Sequence, residues 1–221
     1  MSEVQCFRNP RLGERGNQLD ACTTRSYNGE NTCEERDALR RVTLEELFTD
    51  SVCRKHLPRA GVDHSIRVAE LALDMAKAMG VSPDLAAKAG LLHDIGHGDF
   101  HVDGAWNYEL YQQGDIHPIK GAERAHELLV LKGEDPAAAR EIALAILFHS
   151  GSTPIRPVGE PAPLQRLLSA ADDGDEEEHG DHHRREIPYE AALERVRRLD
   201  RRVDALLGEE GAGNKESAYR R

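Results

Sequence analysis

Apolar positions recur at three- and four-residue steps in a series of segments separated by proline, glycine and capping residues, the pattern of amphipathic helices. The clearest stripe joins Val62, Ile66, Ala69, Leu73 and Ala76 and predicts a helix over Val62 to Met79, stopped by Gly80. Ser82-Pro83-Asp84 reads as an N-cap, a proline at the first helical position and an acidic first turn. Leu85, Ala86, Ala89, Leu92 and His93 then share one face. His117-Pro118 opens a helix through Ala122, Ala125, Leu128 and Leu129 to Gly133, and Asp135-Pro136 opens another whose face carries Ala139, Ile142, Ala143, Ile146 and His149. Upstream, Thr43 and Glu46 form a capping box that starts a helix through Leu44, Leu47, Phe48 and Val52, closed by Pro58 and Gly61. Downstream, a proline-rich loop over Gly151 to Pro163 leads into a short helix with Leu164, Leu167, Leu168 and Ala171. Pro188 precedes a last helix, Tyr189 to Leu207, with Ala192, Val196, Leu199, Val203 and Leu206 on one side. No window alternates with period two, so the expected fold class is all-α, a compact helical bundle.

The periodicity fails at both ends. Residues 1–40 mix polar residues with scattered single hydrophobes and are expected to be poorly ordered; 41–208 should form the folded domain, and 209–221 a flexible tail. Between His97 and Ile116, glycines alternate with Phe100, Trp106, Tyr108 and Tyr111 in a polar setting, with a short helix expected around Ala105 to Gln112. Such a stretch serves either as a lid or pocket wall, or as a surface helix anchored by its aromatics.

Composition narrows the function classes. A 221-residue chain with net charge -11 offers no general surface for a nucleic-acid polymer or an anionic membrane, though a local metal could still draw in an anionic substrate. No apolar run is long enough to span a bilayer and no secretory signal opens the chain, so a soluble, cytoplasmic protein is expected. Cys6, Cys22, Cys33 and Cys53 lack metal or redox spacing and are read as free thiols.

The chemistry gathers at helix ends. His64, His93-Asp94, His117, His149 and Asp172 each stand at the margin of an apolar face. A single histidine there is ordinarily a satisfied core residue, but this ordered set on successive helices points to metal ligation, because a cation compensates the buried carboxylates. Arg67 and Lys120 lie one turn beyond His64 and His117, where they serve either as anion contacts or as ordinary surface charge. His126 falls on the face opposite His117, and His56 sits in a helix-end context. His179, His182 and His183 belong to an acidic run and are expected to be exposed; His101 and Asp103 are weak candidates for substrate contact.

Five strings taken together resemble the HD-domain superfamily of metal-dependent phosphohydrolases, in its small bacterial form: His64-Ser65-Ile66-Arg67-Val68-Ala69, Leu91-Leu92-His93-Asp94-Ile95-Gly96-His97, His117-Pro118-Ile119-Lys120-Gly121-Ala122, His149, and Ala171-Asp172-Asp173-Gly174-Asp175. The resemblance implies an HD-domain helical bundle holding one or two divalent transition-metal ions (Mn, Fe, Co, Ni or Zn), with Asp94 as the bridge. His64, His93 and Asp172 would complete one site, and His117 and His149 the second. It also implies hydrolysis by metal-activated water of a phosphate mono- or diester, with a small phosphorylated compound such as a nucleotide as substrate. Asp94 and His97 are the candidate catalytic residues, and Arg67, Lys120 and His97 the candidate substrate contacts. Many similar hydrolases carry lysine at the position of His97, so this phosphate contact differs here. Two alternatives stand beside it: a di-iron oxygenase, which the same ligands would serve, and a non-catalytic nucleotide-binding signalling module, against which the complete ligand set argues. A homo-oligomer also remains open.

Overall fold

The computed structural model describes residues 42–103, 105–150, 158–176, 182 and 185–218, without the side chains of residues 101, 105, 106 and 210–218. The N-terminal segment expected over 1–40, with Cys6, Cys22 and Cys33, lies outside them, as do His179, His183 and most of the proline-rich loop. The described residues are overwhelmingly helical, as the periodicity predicts.

The first helical stretch is divided. Helix α1 (Leu44–Phe48) begins with the expected capping box, Thr43 Oγ1 accepting from the Glu46 amide at 3.1 Å while Glu46 Oε2 accepts from the Thr43 amide at 2.8 Å. Asp50 then caps a separate helix, α2 (Ser51–Ala60), by accepting from the Val52 amide at 2.9 Å. Pro58 does not close this helix: it lies inside the last turn, forfeiting one hydrogen bond, and Gly61 at φ 94° ends the segment. Cys53, on α2, is a buried free thiol whose pKa burial pushes up to about 12.

Helices α3 (Val62–Ala76) and α4 (Pro83–Leu92) touch at the backbone. A Cβ on Gly90 would lie 2.6 Å from Ala69 Cα, so glycine is what allows this approach. After a linking segment come α6 (His117–Lys132) and α7 (Pro136–Phe148), joined through Gly133 in the left-handed conformation, and then α8 (Pro163–Asp173), which packs on α3 and α7. Helix α9 (Tyr189–Ala218) lies against α1, α3 and α4, and its backbone stays helical past Leu207, where a tail was expected, because no proline interrupts it. Ile66, Leu91, Leu92, Ile95, Leu129, Ile142, Ile146 and Leu164 are fully buried between these helices. Lys88 is fully buried with them, paired with Asp84 at 2.5 Å and with Glu134.

The segment linking α4 to α6 holds a two-stranded antiparallel hairpin, β1 (His101–Val102) and β2 (Ala105–Trp106), turned at Asp103 with φ 52°. Strands of two residues are too short to leave an alternating pattern. The helix expected around Ala105 to Gln112 is α5 (Tyr108–Gly114), starting later because the Asn107 side chain caps it by accepting from the Leu110 amide at 2.8 Å.

Candidate metal centre

Backbone geometry first fixes where the imidazoles point. His93 follows the last turn of α4 and its Nδ1 donates to the Gly90 carbonyl at 2.8 Å; His149 follows α7 and its Nδ1 donates to the Ile146 carbonyl at 2.6 Å. A carbonyl can only accept, so both rings carry their proton on Nδ1 and direct Nε2 elsewhere. His64, in the first turn of α3, sets its Nδ1 2.8 Å from Asp175 Oδ2, and His117, opening α6, sets its Nδ1 against Asp115 Oδ2. The carboxylates fix the same tautomer.

The four Nε2 atoms converge on Asp94, whose two oxygens divide them. On the Oδ2 side lie His93 Nε2 at 3.3 Å and His64 Nε2 at 3.7 Å, each also 3.3 Å from Asp172 Oδ1. On the Oδ1 side lie His117 and His149 Nε2, each at 3.5 Å. His149 also lies 3.9 Å from Asp172 Oδ2. All six sequence-derived candidates, His64, His93, Asp94, His117, His149 and Asp172, are thus brought together.

The donor set suits a cation. His64 and His93 Nε2 are 3.1 Å apart, and in the tautomers just derived both present lone pairs, with carboxylate oxygens around them. Such a group of acceptors needs positive charge between its members, and imidazole with carboxylate suits divalent transition ions. Ionisation follows the same demand. Burial opposes charge on Asp94, but His93 and His97 outweigh it and hold the carboxyl well below its usual range; Asp172 is lowered likewise against burial, chiefly by His93. Burial disfavours a second proton on His93, yet Asp94 and Asp172 outweigh it and raise its pKa, so the carboxylates favour positive charge at the Nε2 position that a bound cation would otherwise supply. For His117 burial wins and the pKa falls.

His97 joins the cluster, its Nε2 3.4 Å from Asp94 Oδ1 and its ring stacked on His117 at 4.3 Å and 9°. An imidazole binds a metal in its ring plane, so two rings stacked face to face cannot both ligate one ion as they stand. Beyond His97 the Tyr111 ring stacks at 6.1 Å with Phe100 edge-on to it at 5.5 Å, so the aromatic segment forms a wall beside the cluster while Tyr108 faces solvent. Burial and the neighbouring Asp115 push the Tyr111 hydroxyl up. Arg67 is exposed and already 3.7 Å from Glu70 and 3.9 Å from Asp175, whereas Lys120 is half-buried near the start of α6. His126 is exposed, as its helical position predicts, and Asp103 is an exposed turn residue.

One expectation is corrected. His182 is not exposed: it is buried with its ring 4.7 Å from His64, since its own imidazole packs against the cluster. Asp115, Asp175 and Arg185 were not singled out as functional residues from sequence; only Asp175 left a signal, its fixed distance after Asp172.

The Gly96 and Gly121 positions complete the geometry. A Cβ on Gly96 would lie 1.9 Å from the His117 carbonyl oxygen and 2.4 Å from the Gly121 amide, so the turn carrying His93-Asp94 and the start of α6 meet backbone to backbone. Residues 61–176, which span every candidate ligand, match the family model for the HD domain. The chain belongs to the HD domain family. It is 48% identical over 168 residues to "Putative phosphohydrolase YueE" of Bacillus subtilis (strain 168), covering 75% of this chain and 94% of that one. A shorter match, 43% identical over 47 residues, is to a "Deoxyguanosinetriphosphate triphosphohydrolase-like protein" of Corynebacterium efficiens, covering 21% of this chain and 11% of that one. No solved structure matches. The HD domain and its ligand cluster identify the chain as a metal-dependent hydrolase. No helix among the described residues is long and apolar enough to cross a membrane.

Proposed function

We propose that this HD domain is a phosphohydrolase with a dinuclear centre that cleaves a phosphate mono- or diester of a nucleotide or related small metabolite in the cytoplasm. The observation that carries the reading is the division of imidazoles between the two oxygens of Asp94. His64, His93 and Asp172 with Asp94 Oδ2 would hold one ion, and His117 and His149 with Asp94 Oδ1 the other. When bound, divalent ions (Mn, Fe, Co, Ni or Zn) supply an activated water and offset charge on the phosphoryl oxygens.

The protein's own residues do the rest. Asp94 and Asp172 place carboxylate oxygens among the ligand imidazoles, where they would share in holding the ions. His97 stands beside Asp94 without ligating; burial disfavours its proton, but Asp94 outweighs burial and its pKa is raised. A protonated His97 can donate to a phosphoryl or leaving-group oxygen, the task of a general acid. Arg67 and Lys120 are the cations nearest in sequence to the ligands and would meet the substrate anion, Arg67 by leaving Glu70. The Tyr111 and Phe100 wall limits water on the His97 side.

The test is elemental analysis of the wild-type chain and Asp94→Ala beside a phosphate-release panel of nucleotides with Mn or Co. The expected result is about two ions per chain and phosphate release, both lost in the variant. Oxygen uptake with an iron-iron charge-transfer band, and no phosphate release, would overturn it in favour of an oxygenase.

A further inference from the structure

The four ligand imidazoles are anchored in two different ways. His93 and His149 donate to carbonyls of their own helices, an anchor that helix geometry supplies and that carries no net charge. His64 and His117 face full carboxylates, Asp175 and Asp115, and these two histidines stand on opposite sides of Asp94. A carboxylate behind an imidazole fixes its orientation and raises the basicity of the far nitrogen. One such pair therefore stands behind each half of the cluster.

The two carboxylates differ in what else they hold. Asp175 Oδ2, the atom facing His64, also accepts from Arg185 Nη2, and Arg67 Nε lies 3.9 Å from Oδ1. Arg185 in turn lies 3.1 Å from Asp63, which Arg195 joins to Glu70 with 2.8 Å between Arg195 Nη2 and Glu70 Oε2. Asp175 is therefore shared between a ligand and an arginine chain running to α9. Asp115 accepts from His117 twice, through the backbone amide at 3.1 Å and through Nδ1, and no arginine or lysine faces it among the described residues.

We infer that Asp115 and Asp175 are positioning residues, one behind each half of the metal centre, and that Arg185 weakens the His64 half by drawing on Asp175. This rests on the dinuclear reading. Asp115 acts through His117 and strengthens the Oδ1 half with no arginine or lysine drawing on it among the described residues. Asp175 acts through His64, and the Oδ2 half compensates for the arginine with a second carboxylate, Asp172.

The experiment is chelator competition against the full chain loaded with Co, followed by visible absorption, for wild type, Asp115→Asn, Asp175→Asn, Arg185→Gln, His117→Ala and the Asp115→Asn/His117→Ala pair. Asp115→Asn should weaken one ion by about 10- to 100-fold and Asp175→Asn the other. Arg185→Gln should tighten the ion that Asp175→Asn weakens. In the His117→Ala background Asp115→Asn should add nothing, since the route runs through that ring. Two ions in the wild type with affinities untouched by either asparagine, or an additive loss in the double variant, would overturn the inference. Should Asp175→Asn fail to fold, Arg185→Gln decides the Oδ2 half, an unchanged affinity there overturning it. Fewer than two ions in the wild type is a separate result that overturns the dinuclear reading itself.

Discussion

A lysine with no exposed surface must be matched where it lies, and Lys88 is matched twice, by Asp84 one turn earlier and by Glu134 from the connection between α6 and α7. Replacing Lys88 with methionine deprives the buried Asp84 and Glu134 carboxylates of their shared cation, and urea unfolding should show a loss of about 3–5 kcal/mol. Nothing in sequence marks this residue, because a lysine amid alanines reads as helix surface. The ligands were legible for the opposite reason: His64, His93, His117 and His149 each stand at the margin of an apolar stripe, where a polar ring needs explaining. Asp115 and Asp175 lie in short connections with no periodicity, so their roles emerged only when the chain brought them behind an imidazole. His182 was misread because its acidic neighbours suggested solvent, whereas its own ring packs on His64.

At the level of elements, the chain announces its helices through start signals at Thr43, Pro83, Pro118 and Pro136, and the structure keeps each of them. Pro58 and the hairpin were not legible, the first because a late-turn proline removes only one hydrogen bond and the second because its strands are so short. The contact that matters most joins α4 to α6. Gly96→Ala places a methyl where the His117 carbonyl lies, so α6 must shift and carry His117 away from Asp94. The variant should retain its helical circular dichroism but lose bound metal and activity together. Helix α1 depends on a distant partner, since Asp200 of α9 accepts from the Leu44 amide at 2.8 Å and the Glu45 amide at 2.9 Å. Asp200→Ala removes this cap and should cost about 1–2 kcal/mol in chemical denaturation, most of it felt at α1.

Across the whole molecule, one cationic group links α2, α6 and the turn of the metal cluster. Arg124 Nη1 donates to the Ile95 carbonyl at 2.8 Å, inside the His93–Gly96 turn, and lies close enough to His56 to act on its charge. Burial, then Arg124, Arg59 and Lys55, lower the His56 pKa from 6.5 to about 4. Neutral His56 is thus favoured by folding. Its contribution is fully present above the unfolded value of 6.5 and is lost as pH falls toward 4. Denaturation of wild type and His56→Gln at neutral and mildly acidic pH should show the wild type losing more stability on acidification. An equal loss in both would contradict this assignment.

His93 and His149 are each bolted to the helical turn that precedes them, with ring centroids 5.3 Å apart. Neither ring can swing without breaking its tie, so the opening between them tracks the rotational phase of α4 against α7. Rolling α4 about its axis, even through a contact at its far end, would shift the half of the cluster that holds His93 against the half that holds His149.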